Sequence, residues 1–301
     1  YFPLFHEQNH RGGGVLMKIK YSAGDKAFRI ICFVIMGVFA LSYIMILIYM
    51  IFGSFRTTTA FSQKPFNFFD ISLNAIKRNY TKAFTYKVGG HTPMPKMIFN
   101  SLIYVGGMVV LSVTIPAISG YITAKYDFKI KKLITSIAII TLVVPTIGSV
   151  TMTYRLMESL HLLNTFQGVF LMSAGGFGFS FLLFRNFFSA IPWEYAEAAF
   201  IDGASDFRVF ITIMFPQATS ILLSLGVMNF IGCWNDYYTP YLFLNDYPTV
   251  AYGLAAITSK YEASVPVVFA ALSFSTIVML VLYMMFSKTI MESMSAGGLK
   301  G

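Results

Sequence analysis

Charge is scarce in this chain. Asp, Glu, Lys and Arg together make up 12% of its 301 residues, about half the share of a soluble domain. So few charges cannot cover a surface that faces water all round, so water is not the main solvent. Cysteine is scarcer still. Cys32 and Cys233 both fall inside long apolar runs, where they read as small buried hydrophobes and exclude a disulfide framework. The histidines at 6, 10, 91 and 161 are scattered. His6 and His10 have helical i,i+4 spacing but no carboxylate or thiolate beside them to complete a metal site. The phosphate-cradling pattern G-x-x-x-x-G-K-[ST] occurs nowhere, so any ATP used here is bound by another subunit. No Ser/His/Asp or Cys/His set offers nucleophilic chemistry, and catalysis is not expected. Lys and Arg outnumber Asp and Glu by 22 to 13, yet no basic run is interleaved with aromatics as a nucleic-acid groove requires.

What is plentiful is apolar. Hydrophobic residues form 56% of the chain, with 31 Phe, 18 Tyr and 17 Met. Uncharged runs cover 30–55, 97–124, 133–154, 159–184, 209–235 and 263–287. Each exceeds the roughly 20 residues that cross a hydrocarbon core of about 30 Å. The ~10-residue alternating segments of a membrane barrel are absent. The expected fold is therefore an all-α membrane protein, a six-helix transmembrane bundle. A domain layout follows: an N-terminal segment 1–27, a membrane domain 28–290 and a tail 291–301. Met17-Lys18-Ile19-Lys20 reads as the start of the natural chain, with 1–16 either a mis-called start or an added prefix.

Orientation follows from charge in short loops. KYDFKIKK (125–132) carries four lysines, while the only Lys or Arg of 155–158 and 236–262 are Arg155 and Lys260. Placing 125–132 in the cytoplasm puts both termini inside and leaves 56–96 outside with seven Lys/Arg, against the usual bias. Within 56–96 the stretch 73–84 has the makings of a short surface helix. The second run opens with Asn100-Ser101 and is interrupted by Pro116 and Gly120; the third carries Pro145 and Gly148. GGFGF at 175–179 looks like a piece of a dinucleotide fingerprint, but it follows no strand and is expected to pack helices through small residues.

Between the fourth and fifth runs lies EYAEAAFIDGAS (194–205), a polar patch. Pro192 suits a first helical turn, Ser189 or a neighbour can cap it, and Glu194 and Glu197 stand where the helix dipole favours acids. As i,i+3 neighbours these two resemble paired catalytic acids, but with no pocket-forming run beside them a solvated face is the simpler reading. Ala196, Ala198 and Ala199 keep one side nearly flat. Gly203 is a natural left-handed stop, and Ser205 or Asp206 can cap a second helix running toward Pro216. Such a surface suits docking into a partner's groove; a plain connecting loop is the alternative.

The spacing E-A-A-x3-G-x9-I-x-x-P is met by Glu197, Ala198, Ala199, Gly203, Ile213 and Pro216. It resembles the cytoplasmic loop signature of binding-protein-dependent ABC importer permeases, with Phe215 in place of the usual Leu. NSL (100–102), YITAKYDF (121–128), FIGCWNDYYTPYLFL (230–244) and GGLKG (297–301) resemble the carbohydrate-uptake branch, in particular its smaller, maltose-importer-type permease. Within the sixth run the stretch FSTIVMLVLYMMF (274–286) lacks the Pro often found there.

The resemblance implies a type I importer permease in a bacterial plasma membrane, partnered by a second permease, two ATPase subunits that bind ATP and Mg, and an extracellular solute-binding protein. It makes 192–216 a coupling helix and its turn. Glu194, Glu197, Ala198, Ala199, Gly203 and Pro216 would serve ATPase contact, and Gly297, Gly298, Lys300 and Gly301 would form a tail between the ATPases. Asn229, Trp234, Asn235 and Asp236 are candidates for the sugar path, since aromatic stacking with a few polar groups suits sugar hydroxyls. An interfacial aromatic belt, with Asp236 as a helix cap, is the competing explanation. Permeases for peptides or polyamines, and secondary transporters, are the rival functions. The latter should show an inverted repeat or intramembrane ionisable residues, and neither is visible.

Overall fold

The structure is a computed structural model that describes residues 23–89, 92–144, 148–175, 177–259 and 264–298. The expected start at Met17, Pro145, Lys260, Lys300 and Gly301 lie outside the described residues. The chain divides after Ile48 into two compact units. In the first, the leading part of helix α1 (Ala23–Ser54) exposes its apolar side chains almost all round, Phe33 at 79% and Met36 at 71% among them. A helix greasy on every face and unburied is built for lipid.

The second unit starts at Tyr49 and holds the rest of the elements. After the end of α1 come two short helices, α2 (Thr58–Gln63) and α3 (Leu73–Thr85), capped by the side chains of Thr57 and Ser72. A minimal antiparallel pair, β1 (Lys87–Val88) with β2 (Thr92–Pro93), leads into α4 (Met94–Lys125). The surface helix expected at 73–84 is α3. The second apolar run differs from expectation in two ways. Pro116 and Gly120 do not interrupt α4, which is continuous through both. Nor do Asn100 and Ser101 open it. They are buried within it, Asn100 donating to the Pro248 carbonyl (3.1 Å) and Ser101 accepting from Val250 N–H (2.8 Å), and so fasten α4 to a loop almost 150 residues later. Gly120 permits close helix packing. A Cβ there would stand 2.8 Å from the Phe184 Cβ.

The third and fourth runs are each carried by two helices: α5 (Lys131–Val143) and α6 (Ser149–Ser159), then α7 (Phe166–Ser173) and α8 (Phe179–Ala190). Gly148 breaks the first pair at φ +78° and Gly178 the second at φ +153°, conformations in which a Cβ is penalised. Gly175 and Gly178 of GGFGF thus stand between two helices and pack against neither a third helix nor each other. Nothing lies within 4 Å of a Cβ at Gly178, and at Gly175 the nearest atom is 3.8 Å away. The sequence boundary at 155–158 falls inside α6; the chain turns instead at His161 and Asn164, both with positive φ.

The remainder is α9 (Glu194–Ile201), α10 (Asp206–Val209), a π turn at Phe210–Met214, α11 (Phe215–Gln217), α12 (Thr219–Asn235), α13 (Tyr238–Phe243), α14 (Val250–Ser259) and α15 (Val265–Gly298). Among the described residues α1, α4 and α15 are long and apolar enough to cross a membrane. The stretch from Asp206 to Asn235 is a fourth if its two parts, bent by 73°, count as one span. Helix α15 continues across residue 290 and takes Gly297 and Gly298 into its last turn.

Candidate functional site

The loop between α8 and α12 is built largely from local rules. Trp193 leads α9 without a side-chain cap, its carbonyl accepting from the N–H groups of Ala196 (2.8 Å) and Glu197 (3.1 Å). Ser189 does not cap, because its hydroxyl donates to the Arg185 carbonyl behind it (2.8 Å). Gly203, at φ +81°, ends the helix: its N–H bonds to Phe200 O (3.0 Å) and that of Ala204 to Ala199 O (2.9 Å). These are the two bonds of a Schellman stop, which needs a left-handed residue at this position. Ser205 then caps α10 by accepting from Arg208 N–H (3.4 Å). Pro216 has no N–H for the carbonyl one turn back, and the helix widens into the π turn just before it.

The loop is held from a distance by the end of α4. The Lys125 ammonium donates to the Ile191 carbonyl and stands 5.8 Å from the centre of the Trp193 ring. Tyr126 packs edge-on against Trp193 (5.9 Å) and donates its hydroxyl to Asp206 Oδ1 at 2.6 Å. Burial and that bond push the Tyr126 hydroxyl well above its ordinary range, so it remains a protonated donor. Beneath, Tyr121 meets Phe188 and Phe210 (5.4 and 4.8 Å) in a core that includes Ala196, Val209 and Met214.

This geometry sorts the site residues. Glu194, Glu197, Ala198 and Gly203 are exposed, as is Pro216 at the bend. Ala196 is fully buried and Ala199 half-buried, so the alanines do not share one flat outer side. The outer face carries Tyr195 (54% exposed), Ile201 (86%) and Phe207 (75%), which sequence reasoning missed. An apolar residue beside a glycine stop reads as core filling, and only the Schellman turn reveals that Ile201 points outward.

At the far end of α12 the named residues part company. Trp234 is buried, nearly parallel to Phe230 with centroids 6.0 Å apart, and lines a cavity of about 300 Å³ with Asn235, Tyr237, Thr258 and Ser275. Asp236 is held elsewhere, accepting from the Tyr104 hydroxyl (2.8 Å) and from Thr239 N–H (3.0 Å). It does cap the following turn. Asn229 donates back to Leu225 O within its own helix (2.8 Å). Among the described residues no group of three or more His, Cys, Asp or Glu could hold a metal.

Residues 112–292, from the middle of α4 to the last turns of α15, match the family model described as binding-protein-dependent transport system inner membrane component. The chain belongs to this family. Its members are transporter permeases of the inner membrane and not themselves enzymes. Among relatives, the diacetylchitobiose uptake system permease protein NgcG of Streptomyces coelicolor is 26% identical over 92% of this chain and 90% of its own length. The trehalose/maltose transport system permease protein MalG of Thermococcus litoralis is 28% identical over 84% and 90%. A chain in the crystal structure of a bacterial ABC transporter involved in import of the acidic polysaccharide alginate superposes with a TM-score of 0.71. It is 24% identical and matched over 89% of this chain and 98% of its own. That likeness fixes the fold as the type I permease fold.

Proposed function

We propose that this chain is the membrane-spanning permease subunit of an ATP-driven sugar importer. The observation that carries the reading is the loop 191–218, a rigid, outward-facing helix and turn clamped by Lys125 and Tyr126 to the end of a long apolar helix. The loop is the contact for an ATPase subunit. Glu194, Glu197, Ala198 and Gly203 present the polar part of that contact, with Tyr195, Ile201 and Phe207 as its apolar part. A push on α9 passes through Trp193 to α4 and through α10 and the π turn to α12, because packed side chains line both routes. Gly297, Gly298, Lys300 and Gly301 belong to a tail that reaches the ATPases. ATP and Mg are held by those partners.

A second permease completes the translocation path, and a solute-binding protein delivers the sugar from outside. The lysines of 125–132 favour a cytoplasmic position for the loop and for both termini. Relatives named for chitobiose and trehalose/maltose uptake support a sugar as the solute. The cavity beside Trp234, with Asn235, Tyr237, Thr258 and Ser275, is this chain's contribution to the path: aromatic faces take the ring C–H groups and the polar groups take hydroxyls. The test is reconstitution in vesicles with the partner subunits. Uptake should require both ATP and the binding protein, and the purified chain alone should bind no ATP. Saturable ATP binding by the isolated chain, or uptake without the ATPases, would overturn the reading.

A further inference from the structure

The segment that follows α1 is folded around a buried arginine. The Arg56 side chain is 1% exposed, and its guanidinium donates to three carbonyls, Pro65 O (3.0 Å), Ala60 O (2.7 Å) and Lys64 O (2.8 Å). Ser72 N–H closes the segment onto Phe55 O (3.1 Å). This knot hides Phe61 but leaves other large apolar side chains out. Phe66 is 80% exposed, Phe69 94% and Leu73 82%. Three such groups held out by a rigid loop need a cover other than water.

Two observations say what covers them. The first is depth. Phe61, Phe66 and Phe68 all pack on Tyr49, with ring centroids 6.2, 5.9 and 6.0 Å away. Five residues separate Tyr49 from Ser54, the last residue of α1, about 7.5 Å along its axis. The segment therefore folds back on the last turns of α1, 49–54, and does not project away from them. The second is charge. Helix α3 buries Ala75, Asn79 and Ala83 along one face, with Ala83 packed near Val267 and Ala270 of α15. Lys77, Arg78 and Lys82 are exposed on its other side, and Lys64 is exposed in the loop. Asp70 is the one acid between residues 56 and 96, and it lies 4.0 Å from Arg56.

We infer that residues 57–82 form an interfacial lipid anchor. Phe66, Phe69 and Leu73 enter the headgroup boundary of the leaflet that the end of α1 reaches, and Lys64, Lys77, Arg78 and Lys82 meet the phosphates of acidic phospholipids. Aromatic rings at the boundary, flanked by cations, are a stable arrangement there. Four of the seven Lys/Arg of 56–96, which run against the positive-inside bias, then answer to lipid phosphate, and Arg56 answers to the carbonyls of its own loop.

The test uses the full chain with its partner subunits in nanodiscs. Cys32 and Cys233 are replaced by Ala, and an environment-sensitive fluorophore is placed at Phe69→Cys or, for comparison, at Thr59→Cys. Phe69 is exposed enough for the change to spare folding. At 69 the probe should emit to the blue of the probe at 59, lose its quenching by iodide and gain quenching by spin-labelled lipid. Native mass spectrometry should find phosphatidylglycerol retained over phosphatidylcholine. Lys77→Gln and Arg78→Gln should each lower that preference about fivefold. A probe at 69 that iodide quenches in every lipid would overturn the inference, as would protection that appears only when the binding protein is added. A phosphatidylglycerol preference untouched by the double substitution would overturn it too.

Discussion

Two loops of this molecule, 55–73 and 191–218, are both built around a charged side chain that donates to backbone carbonyls, and they use it oppositely. Arg56 binds carbonyls of residues four, eight and nine positions on, so its segment holds itself together. Lys125 and Tyr126 reach residues 66 and 80 positions away, so their loop is held by another helix. A knot whose arginine bonds close within the segment, and which meets α15 through ring packing of Phe61 on Phe269, can sit against a soft medium with little demand on the rest of the chain. A loop pinned to a distant helix cannot shift without taking that helix along. The first wiring suits anchoring, the second transmission.

The largest expected effect tests the knot. Arg56→Leu leaves three carbonyls without their donor, each costing about 1–3 kcal/mol when buried. Cleavage between 57 and 72 by an added protease should rise steeply, while the proposed ATPase contact at 191–218 survives. Loss of ATPase co-purification in this variant would mean the two loops are not independent. Next is Gly203→Val. Nothing lies within 4 Å of the new Cβ, so the penalty is backbone strain of about 1–2 kcal/mol, relieved by moving the turn. ATPase co-purification or coupling of hydrolysis to uptake should fall with subunit abundance unchanged, and Gly203→Ala should do less. Glu197→Lys should act on the same step by reversing charge at the contact; normal assembly and uptake in both variants would reduce the loop to a connector.

The smallest effect is that of Tyr126→Phe, which deletes one bond to a carboxylate, about 1 kcal/mol at this partly exposed site. It should weaken coupling without changing insertion, measured as uptake per ATP hydrolysed. The sign of its pH dependence is fixed. The Tyr126 hydroxyl is raised above its ordinary 10.0, so its contribution is complete below pH 10 and is lost as pH rises through the folded value. A thermal scan from neutral pH to above 10 should show this loss in the parent chain and a smaller one in Tyr126→Phe.

What could be read beforehand follows the same division between local and distant causes. Gaps between charges located α1, α4 and α15, because crossing lipid is a property of composition. The Gly203 stop and the Ser205 cap were legible because their partners lie within five residues. Charge gaps are blind to backbone direction, so the break at Gly178 reads as helix packing, and Gly148, marked within the third run, is not expected to divide it into two helices. Asn100 and Ser101 looked like the start of a helix because nothing nearby hints at Pro248 and Val250 as their partners. Arg56 gave no signal among seven cations. Its burial depends on a chain reversal that no short pattern records. Trp234 could be flagged by type, but its separation from Asp236 rests on Tyr104, 132 residues away from that carboxylate.

The bend at Ala218 deserves a mechanical reading. Residue 218 is fully buried and sits where two helical arms meet at 73°, not far from a right angle. Thrust delivered along the first arm therefore has only a small component along the second and acts mostly across it. On the proposed coupling role the joint would act as a bell crank, a piston stroke arriving at 206–217 leaving as a sideways swing of 219–235. The far end of that arm carries Trp234, so a short stroke at one end would widen or narrow the cavity at the other.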